Sequence, residues 1–268
     1  MKEYDFYIVP TPIGNLGDIT LRAIEVLKSV DIIACEDIRV TQKLLNHYNI
    51  KTKCISYHKF YEKERINHFL AILSEGKKIA LVSDAGTPLF CDPGAIIVEE
   101  LRKNNYTVTS LAGANAVATF LSQVPRAGED FIFVGFLPKT KQQITTILNK
   151  YKSTDLAFYD SPNRLINTLE IINETRPNSK VAIGRELTKM FEEIIIEKTS
   201  NIIEYFKKNV LKGEIVALVF REDSSIEDID IEDKISALKN KGFKAKEISI
   251  ILSELYNLNK NDIYKKCI

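Results

Sequence analysis

The feature that most constrains this chain is an alternation of short, β-rich apolar runs with segments of helical periodicity. In the first half of the 268 residues, five such runs are separated by helical stretches. They are Asp5–Val9, Asp31–Cys35, Lys53–Tyr57, Lys78–Ser83 and Tyr106–Leu111. This order is typical of strand–helix–strand units, so we expect a mostly parallel sheet covered by helices.

The second half repeats the alternation with more strands for each helix. A loop or linker is expected at 124–130, and helical periodicity recurs at 140–150, 162–173 and 199–208. The apolar runs are Asp130–Phe136, Asp155–Asp160, Lys180–Gly184, Glu192–Ser200 and Glu214–Phe220. We therefore expect a second α/β domain with a mixed sheet.

Three helix starts carry capping residues. Thr20 is placed to cap the helix after the first loop. Asp92 followed by Pro93 has the favoured order of an N-cap residue and a first-turn proline. Ser161 followed by Pro162 repeats that order.

The C-terminal part differs in composition. Residues 221–230 contain five carboxylates and one arginine, which is typical of a solvated linker. Residues 231–268 predict three short helices, and the part from 233 onward holds eight lysines and four acidic residues. This module could contact RNA, dock on a partner, or form a solvated helical cap. The predicted domains are 1–120, 121–222 and 223–268.

Composition excludes several classes of protein. A formal net charge of +1 argues against a surface that is basic throughout, so any nucleic-acid contact must come from a local patch. The four cysteines are far apart and the three histidines lack metal-binding spacing, which indicates reduced thiols and no metal site. The N-terminal apolar run is too short for a signal peptide, and no apolar run reaches about 18 residues. We expect a soluble, cytoplasmic protein.

Three loops that follow strands carry the residues suited to ligand binding. The first, YIVPTPIGNLGDIT from Tyr7, has two prolines and two glycines but neither GxGxxG nor GKS, so a phosphate loop is disfavoured. A rigid turn and a ledge for a ligand both remain open. The second, Leu81–Gly94, contains Asp84, which could bind a ligand or cap a turn. The third, Leu111–Ala116, opens a helix, and all three would meet at one edge of a parallel sheet.

Polar side chains also follow strands elsewhere. In the second half they are Tyr159, Asp160, Arg164, Arg185, Glu186 and Lys189, and in the first half they are Glu36, Asp37 and Arg39. Each of these residues could equally be a surface polar group at a strand end. Part of the cluster at Glu36, Asp37 and Arg39 could also cap a helix.

Seven ordered stretches resemble one known family. They are VPTPIGNLGDITLRA, CEDIRVTQKLL, LVSDAGTPLFCDPG, FVGFLP, FYDSPNRL, GRELTK and KGEIVALV. Together they are similar to the ribosomal RNA small subunit methyltransferase I group of the tetrapyrrole methylase superfamily, over about residues 4–220. The resemblance implies two α/β domains with S-adenosylmethionine (SAM) in the cleft between them, and it implies a homodimer.

The resemblance also implies positions that bind SAM. The superfamily's GxGPGD loop corresponds to Pro12, Ile13 and Gly14, and its GDP-type loop brings in Asp84, Gly86 and Thr87. Its small-residue loop corresponds to 112–116, where Asn115 replaces the usual Ser, Ala112 replaces Pro, and Ala116 is retained. In the second domain the matching positions are Tyr159, Asp160, Leu187, Glu214 and Ile215.

The implied reaction is methylation of the ribose 2′-hydroxyl of a cytidine in the decoding region of 16S ribosomal RNA. The enzyme must hold the hydroxyl oxygen, the methyl carbon and the sulfur of SAM in line, and it must help remove the hydroxyl proton. We expect Glu186, with Lys189 and Arg185 nearby, to serve that step. Glu36, Asp37, Arg39 and Arg164 are expected at the RNA. The alternatives are a tetrapyrrole C-methylase, and a non-catalytic ribosome-binding protein.

Overall fold

The computed structural model describes residues 3–57, 62–91, 95–126, 128, 130–209, 211–222, 231–256 and 258–268. The chain divides into two compact units, Met1–Phe220 and Arg221–Ile268. The helix cap expected at Asp92 and Pro93, and the acidic linker from 223 to 230, lie outside the described residues. The predicted domain boundaries at 120 and 222 stay a prediction.

The first sheet contains five parallel strands, as the alternation predicted. They are β1 (Phe6–Ile8), β2 (Ile32–Cys35), β3 (Lys53–Ser56), β4 (Ile79–Val82) and β5 (Val108–Ser110). The order is β3-β2-β4-β1-β5, so β1 lies between β4 and β5. The loops after these three neighbouring strands therefore leave the same edge of the sheet side by side.

Helices cover this sheet. They are α1 (Leu21–Ser29), α2 (Ile38–His47), α3 (Glu62–Ser74), α4 (Ala95–Lys103) and α5 (Ala116–Leu121), and a short 3-10 helix spans Leu16–Asp18. The predicted cap of α1 is confirmed, since the Thr20 hydroxyl accepts the Ala23 N–H at 3.1 Å. Successive residues of β1 enter separate cores, Phe6 on one face and Tyr7 on the other. Burial on both faces explains why the strand sequences are continuously apolar.

The second sheet is mixed, as expected. Its strands are β6 (Phe131–Phe136), β7 (Asp155–Asp160), β8 (Lys180–Arg185), β9 (Glu193–Lys198) and β10 (Ile215–Val219), with helices α6 (Lys141–Lys150), α7 (Pro162–Thr175) and α8 (Thr199–Lys208). The order is β6-β7-β10-β8-β9, and β6 with β7 is its parallel pair. Pro162 begins α7 after Ser161, although the Ser161 side chain makes no capping hydrogen bond.

One face of the second sheet packs against α5 and the first loop. Phe120 is fully buried there, and a Cβ at Gly184 would lie 2.5 Å from its ring. Ile13 and Leu187 belong to the same apolar cluster. This packing brings the loop edge of the first sheet against the second sheet.

The C-terminal unit contains the three predicted short helices. They are α9 (Ile231–Asn240), α10 (Ala245–Tyr256) and α11 (Lys260–Cys267). Ile235, Ile248 and Ile263 form its own apolar core. In the part of the chain that the structure describes, no helix is long and apolar enough to cross a membrane.

Candidate active-site cleft

The three loops of the first sheet are joined by hydrogen bonds. Thr11 and Gly86 exchange two backbone bonds of 2.9 Å, which link the loops after β1 and β4. The Thr87 hydroxyl donates to the Ala114 carbonyl at 2.9 Å and links the loop after β5. Gly86 has φ +79°, a conformation that favours glycine. The loops therefore form one continuous wall, as their place after neighbouring strands predicted.

A cavity of about 400 Å³ lies between this wall and the second sheet. Ten of the positions predicted to bind cofactor line it: Ile13, Gly86, Thr87, Asn115, Ala116, Tyr159, Asp160, Leu187, Glu214 and Ile215. Asn115 also caps α5, since its side-chain oxygen accepts the N–H groups of Val117 and Ala118. The structure thus gathers positions from both halves of the chain around one space.

Pro12, Gly14 and Asp84 are not among the lining residues. A Cβ at Gly14 would lie 2.5 Å from Lys189 Cγ, so the first loop packs closely on the turn after β8. Pro12 precedes this contact in the same loop. Asp84 accepts the Asp37 N–H at 3.0 Å and ties the loop after β4 to the loop after β2.

Eight lining residues were not predicted. They are Ala85, Phe90, Cys91, Phe136, Ser161, Pro162, Gly213 and Val216. Most lie beside predicted positions in the same motifs, so sequence proximity could have suggested them. Phe136 is different, because its position at the cavity depends on how β6 pairs with β7.

Asp160 is the buried charged side chain of the cavity wall. Its side chain is 1% exposed, and Oδ1 accepts the Ser161 N–H at 2.8 Å. Oδ2 has no hydrogen-bond partner within the described residues. Arg164 Nε lies 3.7 Å from Oδ1, while the same guanidinium donates to the carbonyls of Leu137 and Pro138. Arg164 is therefore engaged with the backbone that follows β6.

Glu186 and Lys189 form a bonded group beside the cavity, and neither lines it. Glu186 Oε1 accepts from Lys189 Nζ at 2.8 Å and from the Glu214 N–H at 3.0 Å. Lys189 Nζ also donates to Glu214 Oε2 at 2.8 Å. These bonds join the turn after β8 to the residue before β10, and both segments reach the cavity through Leu187 and Glu214.

The bonds shift both pKa values towards the charged forms. The hydrogen bond from Lys189 lowers the pKa of Glu186. Burial opposes the charge on Lys189, but the bonds to Glu186 and Glu214 outweigh it and raise the pKa of Lys189. Arg185 points to other partners, since it donates to Glu193 Oε2 at 3.0 Å and to the Lys212 carbonyl at 3.3 Å.

The cluster after β2 is exposed. Asp37 caps α2 by accepting the Arg39 N–H at 2.8 Å, and the Arg39 guanidinium contacts both carboxylate oxygens of Asp37. The hydrogen bond from Arg39 lowers the pKa of Asp37 to about 2. The Arg39 side chain is 89% exposed, so its remaining donors face solvent. Glu36 is exposed beside it.

Comparison with known proteins agrees with this geometry. Residues 5–203 match the model of the family described as Tetrapyrrole (Corrin/Porphyrin) Methylases, and the chain belongs to that family. It is 39% identical to the ribosomal RNA small subunit methyltransferase I of Buchnera aphidicola subsp. Acyrthosiphon pisum, over 97% of this chain and 94% of the relative. It is also 39% identical to that of Rickettsia prowazekii, over 97% and 92%. Within the tetrapyrrole methylases, the chain belongs to the ribosomal RNA small subunit methyltransferase I family, as its motifs predicted.

Solved structures share the fold at low sequence identity. A cobalt precorrin-4 methyltransferase of cobalamin biosynthesis superposes with a TM-score of 0.62 at 15% identity, covering 80% of this chain and 94% of that one. A uroporphyrin-III C-methyltransferase from Thermus thermophilus, complexed with S-adenosylhomocysteine, gives 0.56 at 15% identity, covering 80% and 96%. These likenesses establish the architecture of two α/β sheets.

Proposed function

We propose that this protein transfers the methyl group of SAM to the ribose 2′-hydroxyl of a cytidine in the decoding region of 16S ribosomal RNA. The observation that carries the proposal is the cavity between the two sheets, which gathers the family's motif positions around one ligand-sized space. The names of the 39%-identical relatives supply the substrate class, the RNA of the small ribosomal subunit.

The cavity has the properties that SAM requires. Its volume of about 400 Å³ falls within the usual range for small-molecule sites. Ile13 and Leu187 give it apolar walls, and Gly86 exposes backbone for close approach. The unpaired Oδ2 of Asp160 would accept a hydrogen bond from an amino or hydroxyl group of a ligand. SAM has no phosphate, which agrees with a first loop that lacks GxGxxG.

The residues of this chain contribute mainly by positioning. A sulfonium methyl group is already activated, so the barrier falls chiefly when the hydroxyl oxygen, methyl carbon and sulfur are held in line. The loop wall built by the Thr11–Gly86 and Thr87–Ala114 bonds supplies such a rigid support. We propose that Pro12, Gly14 and Asp84 support this wall from behind.

The sequence assigns proton removal to Glu186, with Lys189 and Arg185. The bonds that Glu186 makes to Lys189 and Glu214 favour a different task, because a carboxylate that is paired and has a lowered pKa is a weak base. We propose that the pair acts by holding Leu187 and Glu214 at the cavity.

Arg39 and the lysines of the C-terminal unit are the proposed phosphate contacts, because their charges are exposed. Glu36 and Asp37 would orient Arg39, and Arg164 would hold the backbone after β6. The homodimer and the cytoplasmic location expected from the sequence belong to the same proposal.

Methyl transfer from labelled SAM tests the function directly. The acceptors are small ribosomal subunits, naked small-subunit RNA and a uroporphyrinogen-type tetrapyrrole. We expect label in RNA, located by mass spectrometry on the 2′-oxygen of a cytidine. Label on the tetrapyrrole alone would show a C-methylase. SAM binding without label in any acceptor would favour a non-catalytic ribosome-binding protein.

A further inference from the structure

Phe136 is a large apolar side chain held in an exposed position at the cavity. Its side chain lines the cavity, yet the residue is 61% exposed. Ile13 and Leu187, which line the same space, are 9% and 6% exposed. The cavity therefore has a buried side at Ile13 and Leu187 and an open side at Phe136.

A bulge in β6 places this ring. The pairing of β6 with β7 shifts register between Phe133 and Phe136, and Gly135 between them has φ +67°. Side chains alternate along a regular strand, so residues three apart would face opposite sides. Here Phe133 and Phe136 both contact the ring of Tyr159, with centroid distances of 5.0 and 5.5 Å. Bulges of this kind redirect side chains next to active sites.

The ring belongs to an aromatic wall. Phe90 stacks on Phe133 at 5.1 Å with an interplanar angle of 17°, and Phe90 is itself 48% exposed at the cavity. We name Phe90, Phe133, Tyr159 and Phe136 the aromatic wall. Its centre, Phe133 and Tyr159, is partly covered, and its two ends, Phe90 and Phe136, are exposed, so the end rings are accessible to a ligand.

We propose that Phe136 stacks on the nucleobase of the nucleotide that is methylated, a proposal that rests on the function proposed above. Proteins that recognise RNA commonly take unstacked bases onto aromatic side chains. A base held on the open side would bring its ribose towards the cavity, where the hydroxyl must meet the methyl donor. The buried side, between Ile13 and Leu187, is left for the cofactor.

The absence of tryptophan from the chain permits a direct test. Phe136→Trp places a single indole in the aromatic wall, and base stacking quenches indole fluorescence. We expect little change when S-adenosylhomocysteine is added and strong quenching when small-subunit RNA follows. The control is Phe131→Trp at the other end of β6, where the native residue is 44% exposed and does not line the cavity. This control should show no RNA-specific quenching.

Kinetics supply the second readout. Phe136→Ala and Phe136→Leu should raise the KM for the RNA substrate about tenfold, in line with the loss of one aromatic–base stack, while affinity for S-adenosylhomocysteine is unchanged. Phe136→Tyr should restore the KM. Leu preserves apolar volume but lacks a π face, so it separates stacking from packing.

Several outcomes would overturn the inference. Quenching by S-adenosylhomocysteine alone would assign the ring to the cofactor, and wild-type kinetics in Phe136→Leu would reduce it to packing. A changed mass in light scattering for Phe136→Ala would make it a subunit contact. If the wild type binds RNA but transfers no methyl group, the proposed function fails, and RNA-dependent quenching still decides whether Phe136 meets a base.

Discussion

At the scale of single residues, Asp160 lines the cavity and has one carboxylate oxygen without a hydrogen-bond partner among the described residues. A buried carboxylate oxygen without a partner costs free energy, and binding of a hydrogen-bond donor would remove that cost. Asp160 Oδ2 is in this condition at the end of β7, beside the cavity. A hydrogen-bond donor of a ligand in the cavity could therefore offset the free-energy cost of this oxygen.

Asp160→Asn tests this connection. The amide oxygen can still accept the Ser161 N–H, but the other position becomes a donor, so a ligand donor would lose its acceptor. We expect affinity for S-adenosylhomocysteine to fall by about tenfold or more in calorimetry, as for a hydrogen bond to a charged group. Asp155→Asn, at the opposite end of β7 and also with a 1% exposed side chain, is the control. Equal losses in the two variants would argue against a ligand contact at Asp160.

Glu186→Gln separates a positioning role from a catalytic one. The side chains of Glu186 and Lys189 are 20% and 30% exposed, so solvent screening is limited and the loss of their ion pair should cost about 1 kcal/mol of unfolding free energy. We expect kcat to fall less than tenfold and the pH profile of methyl transfer to keep its shape. A loss of 10² or more together with a missing acidic limb would instead identify Glu186 as the base.

The ion pair of Glu186 and Lys189 also makes the stability of the fold depend on pH in a predictable direction. Because the folded-state pKa of Glu186 is lowered, its stabilisation is present above the ordinary pKa of a glutamate and is lost as pH falls through the lowered value. The stability difference between wild type and Glu186→Gln should therefore be constant near neutrality and begin to shrink once pH falls below the ordinary glutamate pKa of about 4.3. Thermal melts from pH 3 to 7 measure it, and a difference that does not shrink below pH 4 would contradict the assignment.

The sequence patterns identified many of these residues as site residues, but they did not predict the role of each. Thr20 was predictable as a cap because the N-cap bond is local. The pairing of Glu186 with Lys189 and Glu214 depends on a turn with φ +52° at Glu186 and on a contact across 28 positions of the chain. The sequence does not show which residue a charged side chain at a strand end will contact. A catalytic carboxylate and a carboxylate held in an ion pair therefore look the same in the sequence.

At the scale of elements, the wall depends on close contact between the first loop and the turn after β8. The Asn15 N–H donates to the Thr188 hydroxyl at 3.1 Å, and Thr188 has φ +63°. Gly14 packs directly against this turn, since a Cβ there would lie 2.8 Å from the Leu187 carbonyl oxygen. A backbone carbonyl cannot move away as freely as the end of a side chain.

Gly14→Ala should therefore push the first loop away from the turn after β8. We expect unfolding free energy to fall by about 1–3 kcal/mol, as for overpacking, and affinity for S-adenosylhomocysteine to fall with it because Leu187 lines the cavity. Gly17→Ala, in the same loop, is the control, since its Cβ would meet only the Asn15 side chain at 3.2 Å. Wild-type affinity in Gly14→Ala would show that the cavity tolerates a shifted first loop.

The strands themselves were predictable because their apolar runs are short and bounded by turn residues. All ten expected runs contain a strand, and β7 spans the predicted Asp155–Asp160. The bulge at Gly135 was not predictable, because a bulge is a property of how two strands pair and both neighbouring residues still read as strand. The aromatic wall was missed for the same reason.

At the scale of the whole molecule, charge is divided unequally along the chain. The net charge is +1, yet the part from 233 to 268 holds eight lysines against four acidic residues. Lys239, Lys241, Lys244 and Lys246 are exposed there. Among the described residues, the lining of the cavity runs from 13 to 216 and so belongs to the first unit. If the lysines of the C-terminal unit attract RNA as proposed, their replacement should leave cofactor binding unchanged.

Replacement of these four lysines by glutamine should weaken the response to RNA and spare the cofactor. Removing a lysine that neutralises one phosphate reduces the slope of log affinity against log salt by about 0.7–0.9, so a clear reduction is expected if these residues meet RNA. KM for small-subunit RNA should rise, while affinity for S-adenosylhomocysteine stays at the wild-type value. The control replaces Lys28, Lys51, Lys53 and Lys152, which are exposed beside the amino ends of strands, away from the loop wall. Because both variants lose the same charge, equal salt slopes would show a general effect of net charge and would leave the C-terminal unit with the role of a helical cap.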